Sequence, residues 1–245
     1  MNDGAWTNLL DRAGGKQALT RSTTPLERAL DPLVRAKRLG APLVIAQLGQ
    51  SLDGRIATPT GSSRGINGPE AMIHLHRLRA LVDAVVVGAG TARVDDPRLT
   101  VRHCVGNNPA RVVIDPRGTV GVDAQVWRAE DGARRMVFGG IAALDAGVER
   151  LEVPDGKLSP QGIVDSLRAQ GMSRVLIEGG GKTVSQFLAA GAVDCLHVLA
   201  APVILGAGLA GLSFPGTDTV DAALRPLTDV HVFEGGDVLF ACRLR

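Results

Sequence analysis

Apolar residues recur along the chain at two spacings, and their alternation predicts strands that take turns with helices. The runs Leu43–Leu48, Ala84–Val87, Arg111–Asp115, Met136–Phe138, Arg174–Ile177 and Cys195–Ala201 are short and apolar, as buried strands are. Helical spacing appears between them. Thr24-Pro25-Leu26-Glu27 starts a helix with a threonine cap and proline at its first position. It runs to about Arg38, with Leu26, Leu30, Leu33 and Val34 on one face. Asn67 or Gly68 caps a second helix, with Pro69 in its first turn, that reaches about Val82 and carries Met72, Leu75, Leu78 and Arg79. Pro160–Gln170 reads as a third, and Val184, Phe187 and Leu188 mark a fourth that Gly191 ends. Asp229–Phe233 and Val238–Arg243 form a closing hairpin around Glu234-Gly235-Gly236-Asp237. Such an order implies an α/β sheet of mixed sense. Residues 1–23 are polar and mixed, with Trp6 their one large apolar group, and read as a loosely held extension. The expected organisation is an arm with one helix over 1–41 and one domain over 42–245.

Composition narrows the classes. Of 245 residues, 45% are hydrophobic, aromatics make up 3% and tyrosine is absent, so the core is aliphatic. A net charge of +2 is too small to indicate a nucleic-acid binder, and the chain lacks aromatic platforms for single strands. Cys104, Cys195 and Cys242 are far apart and form no C-x-x-C pair, which suits reduced, small apolar fillers. The start has no apolar leader region, and no run approaches the roughly 20 apolar residues that span a bilayer. No membrane association and a cytoplasmic location are therefore expected.

The densest chemistry lies between Gly88 and Arg102, G-A-G-T-A-R-V-D-D-P-R-L-T-V-R, directly after the Ala84–Val87 strand. Gly88 and Gly90 would let the backbone approach a ligand. Thr91 reads as the cap of a short helix whose free N–H groups would face an anion, and Asp95-Asp96-Pro97 ends that helix. An ordinary solvated connection is an equal reading on local composition. Neither glycine-rich turn matches a familiar fingerprint. Arg93 stands where a dinucleotide motif needs its third glycine, and Gly181-Lys182-Thr183 lacks the first glycine of a P-loop. Together the two turns could hold the phosphates of one extended ligand.

No metal site is expected. His74 and His76 point to different faces of one helix, and His103, His197 and His231 are scattered. No G-x-S-x-G elbow indicates a serine hydrolase. Arg79, Arg93, Arg98 and Arg102 could form an anion site, or could be surface charges balanced by Asp95 and Asp96. Glu178, ending a strand beside three glycines, either bonds a ligand hydroxyl or ring nitrogen or caps the turn's backbone donors.

Three segments carry a resemblance. Ser51-Leu52-Asp53-Gly54-Arg55, Asp95-Asp96-Pro97-Arg98-Leu99-Thr100-Val101-Arg102 and Glu178-Gly179-Gly180 are similar to the pyrimidine reductase of riboflavin biosynthesis, over about Pro42 to Arg245. In bifunctional members that module follows a zinc deaminase, for which residues 1–41 are too few and lack ligands. The resemblance implies a dihydrofolate-reductase-like three-layer α/β/α fold, with a mixed, mainly parallel central sheet and an antiparallel C-terminal hairpin. It also implies a homodimer through the C-terminal strands, NADPH as hydride donor and a phosphorylated pyrimidine substrate, 5-amino-6-(5-phosphoribosylamino)uracil, whose ribosyl group becomes ribityl. Carried over, Ser63, Arg79, Leu99, Arg102 and Glu178 would contact substrate. Thr91, Asp95, Pro116 and the turn Gly180, Gly181, Lys182, Thr183, Val184, Ser185 and Gln186 would contact NADPH. Arg117, by its position, would meet the cofactor's 2′-phosphate. Many members carry tryptophan in the cofactor loop where this chain has Gly65, and Pro116 replaces a hydroxyl residue.

The cofactor would supply the hydride and the protein would align it with C1′ of the sugar, with Asp95 and Glu178 as orienting catalytic groups and water a source of the proton. Two other expectations stay open: a reductase of the same fold acting on another heterocycle such as dihydrofolate, and a nucleotide-binding protein without catalysis.

Overall fold

The computed structural model describes residues 1–128, 130–140, 147–153 and 156–245. Its frame is a nine-stranded sheet built from β1 (Leu43–Ser51), β3 (Ala84–Gly88), β4 (Ala110–Asp115), β5 (Arg135–Gly139), β6 (Val148–Leu151), β7 (Arg174–Glu178), β8 (Cys195–Ala201), β10 (Leu227–Val232) and β11 (Val238–Arg243). The order is β10-β11-β8-β1-β7-β3-β4-β5-β6. The pairs from β8 to β6 are all parallel, and only the C-terminal hairpin is antiparallel. A short β2 (Arg55–Ala57) pairs with β9 (Leu209–Ala210) outside the sheet.

Side-chain alternation distributes the strands between two cores. Val85, Val87, Val113 and Val137 face one side, where α1 (Asp3–Ala13), α2 (Pro25–Leu39) and α3 (Pro69–Leu81) bury Leu9, Leu30, Leu33, Leu78 and Leu81. Ala84, Val86, Val112 and Met136 face the other, under α5 (Pro160–Ala169) and α6 (Gly181–Ala189). The helix starts follow their local chemistry: the Thr24 hydroxyl accepts from the Glu27 N–H at 3.3 Å, and Gly40 closes α2 at φ 64. At α3, Gly68 occupies the cap and its N–H donates to the Asp237 carboxylate at 2.7 Å, so the hairpin turn does what a local side chain does elsewhere.

Residues 1–23 are not a loose extension, and 1–41 hold two helices rather than one. Trp6 is 2% exposed in the core beneath α1, α2 and α3. The buried Arg12 bonds the Thr20 carbonyl, the Ser22 hydroxyl and Asp31 of α2. Trp6, Leu9 and Ala13 give α1 a narrow apolar stripe that is easily missed among its polar residues.

Two histidines are buried together. His74 on α3 stacks on His197 of β8, with Nε2 and Nδ1 3.0 Å apart. Burial pushes both below the ordinary value of 6.5, His197 to about 4, and neighbouring Arg77 adds to the effect at His74. Unfolded histidines take up protons near 6.5, whereas folded His197 resists them down to about 4 and folded His74 is likewise held neutral, so protons favour the unfolded chain. Stability measured by urea unfolding is expected to fall as pH drops from 6.5 towards 4, and His197→Gln is expected to make that slope shallower.

Candidate active site

Strands β3 and β7 lie side by side and parallel, but the chain leaves them in opposite directions. From β3 it runs through α4 (Ala89–Val94) to β4 on one side, and from β7 through α6 to β8 on the other. Diverging connections open a crevice at the carboxyl ends of such a pair. Here the crevice is a cleft of about 530 Å³. Its lining includes Arg79, Thr91, Asp95, Leu99, Arg102 and Glu178, six of the residues singled out from the sequence. Arg64, Met72, Leu75, Arg98 and Gln125 line it as well.

At the floor, Glu178 at the end of β7 meets Arg79 from α3. The Arg79 Nε donates to Glu178 Oε2 at 3.0 Å and Nη2 donates to Oε1, while Nη1 donates to the Thr100 carbonyl at 3.0 Å. Both residues are buried, at 5% and 7% exposure. The fork of Arg79 is thus spent on the protein, and its direct role is to hold Glu178 as an oriented carboxylate. Glu178 does not cap the turn after β7; the Gly180 N–H donates instead to the Thr91 hydroxyl at 2.9 Å.

Thr91 is not the cap of α4, because Gly88 occupies that position and Thr91 lies in the first turn. At three of the glycines a neighbouring threonine fills the space beside the backbone. A Cβ on Gly88 would stand 2.5 Å from the Thr183 hydroxyl, and Cβ atoms on Gly179 and Gly180 would meet Thr91 at 2.8 and 3.1 Å. These glycines let the β3–α4 and β7–α6 turns interlock. Gly90 and Gly65 face open space.

Wall and mouth come from the D-D-P-R-L string. Among the described residues, Asp96 (φ 41) and Leu99 (φ 56) are the two non-glycine residues in the left-handed region, each at a cost of roughly 1–3 kcal/mol that surrounding contacts must offset. At Asp96 the contacts come from Gln125, whose N–H donates to the carboxylate at 2.8 Å and whose side-chain amide donates to both the carboxylate and the carbonyl at 3.0 Å. These donors, the backbone N–H first, pull the Asp96 carboxyl below its ordinary range. At Leu99 the offset is burial, at 1% exposure. Asp95 is exposed at the mouth, and the Ser63 hydroxyl donates to it at 3.3 Å.

Arg102 adds positive charge to the cleft beside Arg64 and Arg98. Partial desolvation lowers its affinity for its proton, and the charges of Arg79 and Arg98 add to this. Arg98 donates from Nε to Gln125 at 2.7 Å, and Arg93 is exposed outside the cleft. The other sequence-predicted residues lie along the same edge. Lys182 and Gln186 are exposed on α6 and Gly181 is buried against the backbone of Ala210 and Gly211. Val184 packs in the core beneath α5 and α6, and the Ser185 hydroxyl accepts from the Ser213 N–H at 2.8 Å, so both side chains turn inward. Pro116 and Arg117 are exposed at the end of β4 and do not line the cleft.

The RibD C-terminal domain family matches residues 42–239. The chain belongs to that family. Among its RibD relatives, the riboflavin biosynthesis protein RibD of Corynebacterium ammoniagenes is 33% identical over 199 residues, covering 80% of this chain and 53% of that protein. The 2,5-diamino-6-ribosylamino-4(3H)-pyrimidinone 5′-phosphate reductase of Methanothermobacter thermautotrophicus is 34% identical over 176 residues, covering 67% of this chain and 80% of that protein. A solved deaminase/5-amino-6-(5-phosphoribosylamino)uracil reductase from Thermotoga maritima superposes with a TM-score of 0.73 at 30% identity, covering 87% of this chain and 60% of that one. This RibD C-terminal domain chain thus spans about half the length of the curated RibD relatives it matches, and its fold is the dihydrofolate-reductase-like α/β/α arrangement. Residues 1–41 lie outside the family match. No helix among the described residues is long and apolar enough to cross a membrane.

Removing one partner of a buried ion pair strands the other charge. Arg79→Met is expected to lower unfolding stability by about 3–5 kcal/mol in urea titrations, and Arg79→Lys, which keeps the charge but not the fork, by less.

Proposed function

We propose that the chain is an NADPH-dependent reductase of a phosphorylated ribosylaminopyrimidine, converting the ribosyl group of 5-amino-6-(5-phosphoribosylamino)uracil to ribityl in riboflavin biosynthesis. The observation that carries the reading is one cleft in which an anchored carboxylate, Glu178, and a cation without a carboxylate partner among the described residues, Arg102, face the two interlocked turns. Membership of the RibD C-terminal domain family supports it.

Glu178 would accept hydrogen bonds from the base or the sugar hydroxyls, held in orientation by Arg79. Arg102, with Arg98 and Arg64 beside it in the lining, would take the 5′-phosphate, whose charge relieves the repulsion among the arginines. Leu99 would bound the ligand's apolar edge. Thr91, Asp95 and the start of α6 would receive the cofactor. That edge fits an anionic dinucleotide: the N–H groups of Gly181 and Lys182, the first two residues of α6, have no intrahelical partners, Lys182 is exposed beside them, and Gly90 leaves open space. The cofactor would supply the hydride, and the protein would orient the sugar carbon towards it. Glu178, ion-paired through both oxygens, is an orienting group and not a proton donor. Asp95, exposed beside Ser63, is placed to order a water that delivers the proton.

A second copy of the chain would cover the C-terminal hairpin, where Leu227, Val230, Val232 and Phe240 are exposed.

The name of the Methanothermobacter relative favours a second substrate, the 2,5-diamino-pyrimidinone with the same ribosylamino 5′-phosphate. NADPH oxidation by the purified protein, followed by absorbance with each pyrimidine and with dihydrofolate, decides among them; no oxidation with any ribosylaminopyrimidine phosphate would sink the proposal. Arg102→Ala is expected to raise KM for the phosphorylated substrate roughly ten- to hundred-fold, the scale of charged hydrogen bonds, with little change for NADPH.

A further inference from the structure

Residues 99–109 run from the cleft towards β4 without regular structure, and Arg102 stands among them. What holds them is a set of side chains. Arg79 donates to the Thr100 carbonyl, and the Val101 N–H donates to Asn108 Oδ1 at 2.6 Å. The N–H of Arg102 itself donates to His76 Nδ1 at 2.8 Å, which places the ring's own proton on Nε2. Three residues on, the indole N–H of Trp6 donates to the Val105 carbonyl at 2.9 Å. Arg102 is therefore pinned on one side by α3 and on the other by α1.

The α1 anchor is itself fixed. Trp6 lies in the same core as Leu99 and Leu78. The Arg77 guanidinium sits over its ring, 5.5 Å from the centroid, one residue from His76 and two from Arg79. Arg77 also donates to the Met1 carbonyl at 2.9 Å. Through Arg12, Ser22 and Asp31, α1 is tied to α2. A segment outside the family match thus reaches the loop that carries Arg102.

We infer that α1 braces the anion-binding loop, and that Trp6 is a positioning residue acting through the Val105 carbonyl to hold Arg102 over the cleft for a sugar or nucleoside monophosphate. This rests on the reading of Arg102 as the phosphate contact. A guanidinium gains from a phosphate only when its fork is well aimed, so a small loop displacement costs the phosphate contact more than contacts deeper in the cleft.

The test is a double-mutant cycle read as binding of uridine 5′-monophosphate by calorimetry. Trp6→Phe keeps the buried ring and its stacking under Arg77 but removes the N–H. It is expected to weaken binding about five-fold, the scale of one neutral hydrogen bond, and to add nothing in the Arg102→Ala background. Equal weakening in both backgrounds would mean a merely structural role and overturn the inference, as would unchanged affinity in Trp6→Phe. A wild-type protein that does not bind the nucleotide overturns the phosphate placement and the brace with it. One that binds it but reduces no pyrimidine overturns the reductase reading alone.

Discussion

The buried pair of Arg79 and Glu178 is the constraint on which the site depends. Two charges at the end of a core strand lose their hydration, and the loss is tolerable only when each finds a well-aimed partner. Glu178 has one partner for both oxygens; Arg79 has a second acceptor in Thr100. One side chain therefore ties α3, β7 and the 95–102 segment together, and the cleft is the space left between them. The same bonding turns the fork of Arg79 towards the protein, while Arg102 has no carboxylate partner among the described residues.

Around that pair the backbone does unusual things for local reasons. Left-handed Asp96 and Leu99 bend the chain twice within four residues, and Gln125 and core burial stabilise the bends. The bends put Pro97 and Arg98 at the mouth and Leu99 in the wall. Opposite, the glycine turns after β3 and β7 approach so closely that Thr91 and Thr183 occupy the space their Cβ atoms would need. A crevice at a topological switch point becomes a shaped site because both lips are rigid.

Rigidity of the outer lip is borrowed from further away. The loop around Arg102 has no ladder of its own, so its backbone groups are satisfied by side chains, among them His76 and Trp6. The Asp237 carboxylate likewise completes the start of α3, which links the C-terminal hairpin to the helix that carries Arg79. Both devices act on the same helix, from opposite ends of the sequence.

Strand and helix identities were legible because each is a short-range property. Apolar runs marked β1, β3, β4, β5, β7 and β8, and Thr24-Pro25 marked α2, since periodicity and capping chemistry lie within a few residues of each other. Thr91 and Glu178 were legible for a related reason, since polar groups set at the ends of apolar strands have few structural uses, whereas Leu99 was named through the family resemblance alone. The rest needed the fold. Residues 1–23 looked loose because a stripe of Trp6, Leu9 and Ala13 shows its purpose only against Leu78 and Leu99. Gln125 carried no local signal and is brought to the cleft by Asp96, 29 positions away. Whether Arg79 meets a ligand or Glu178, whether Thr91 caps a helix or receives the Gly180 N–H, and whether a glycine faces a ligand or a threonine were likewise undecided. Residue type sets what a group can bond. Only tertiary packing, by bringing distant segments within hydrogen-bond reach, decides which partner it takes.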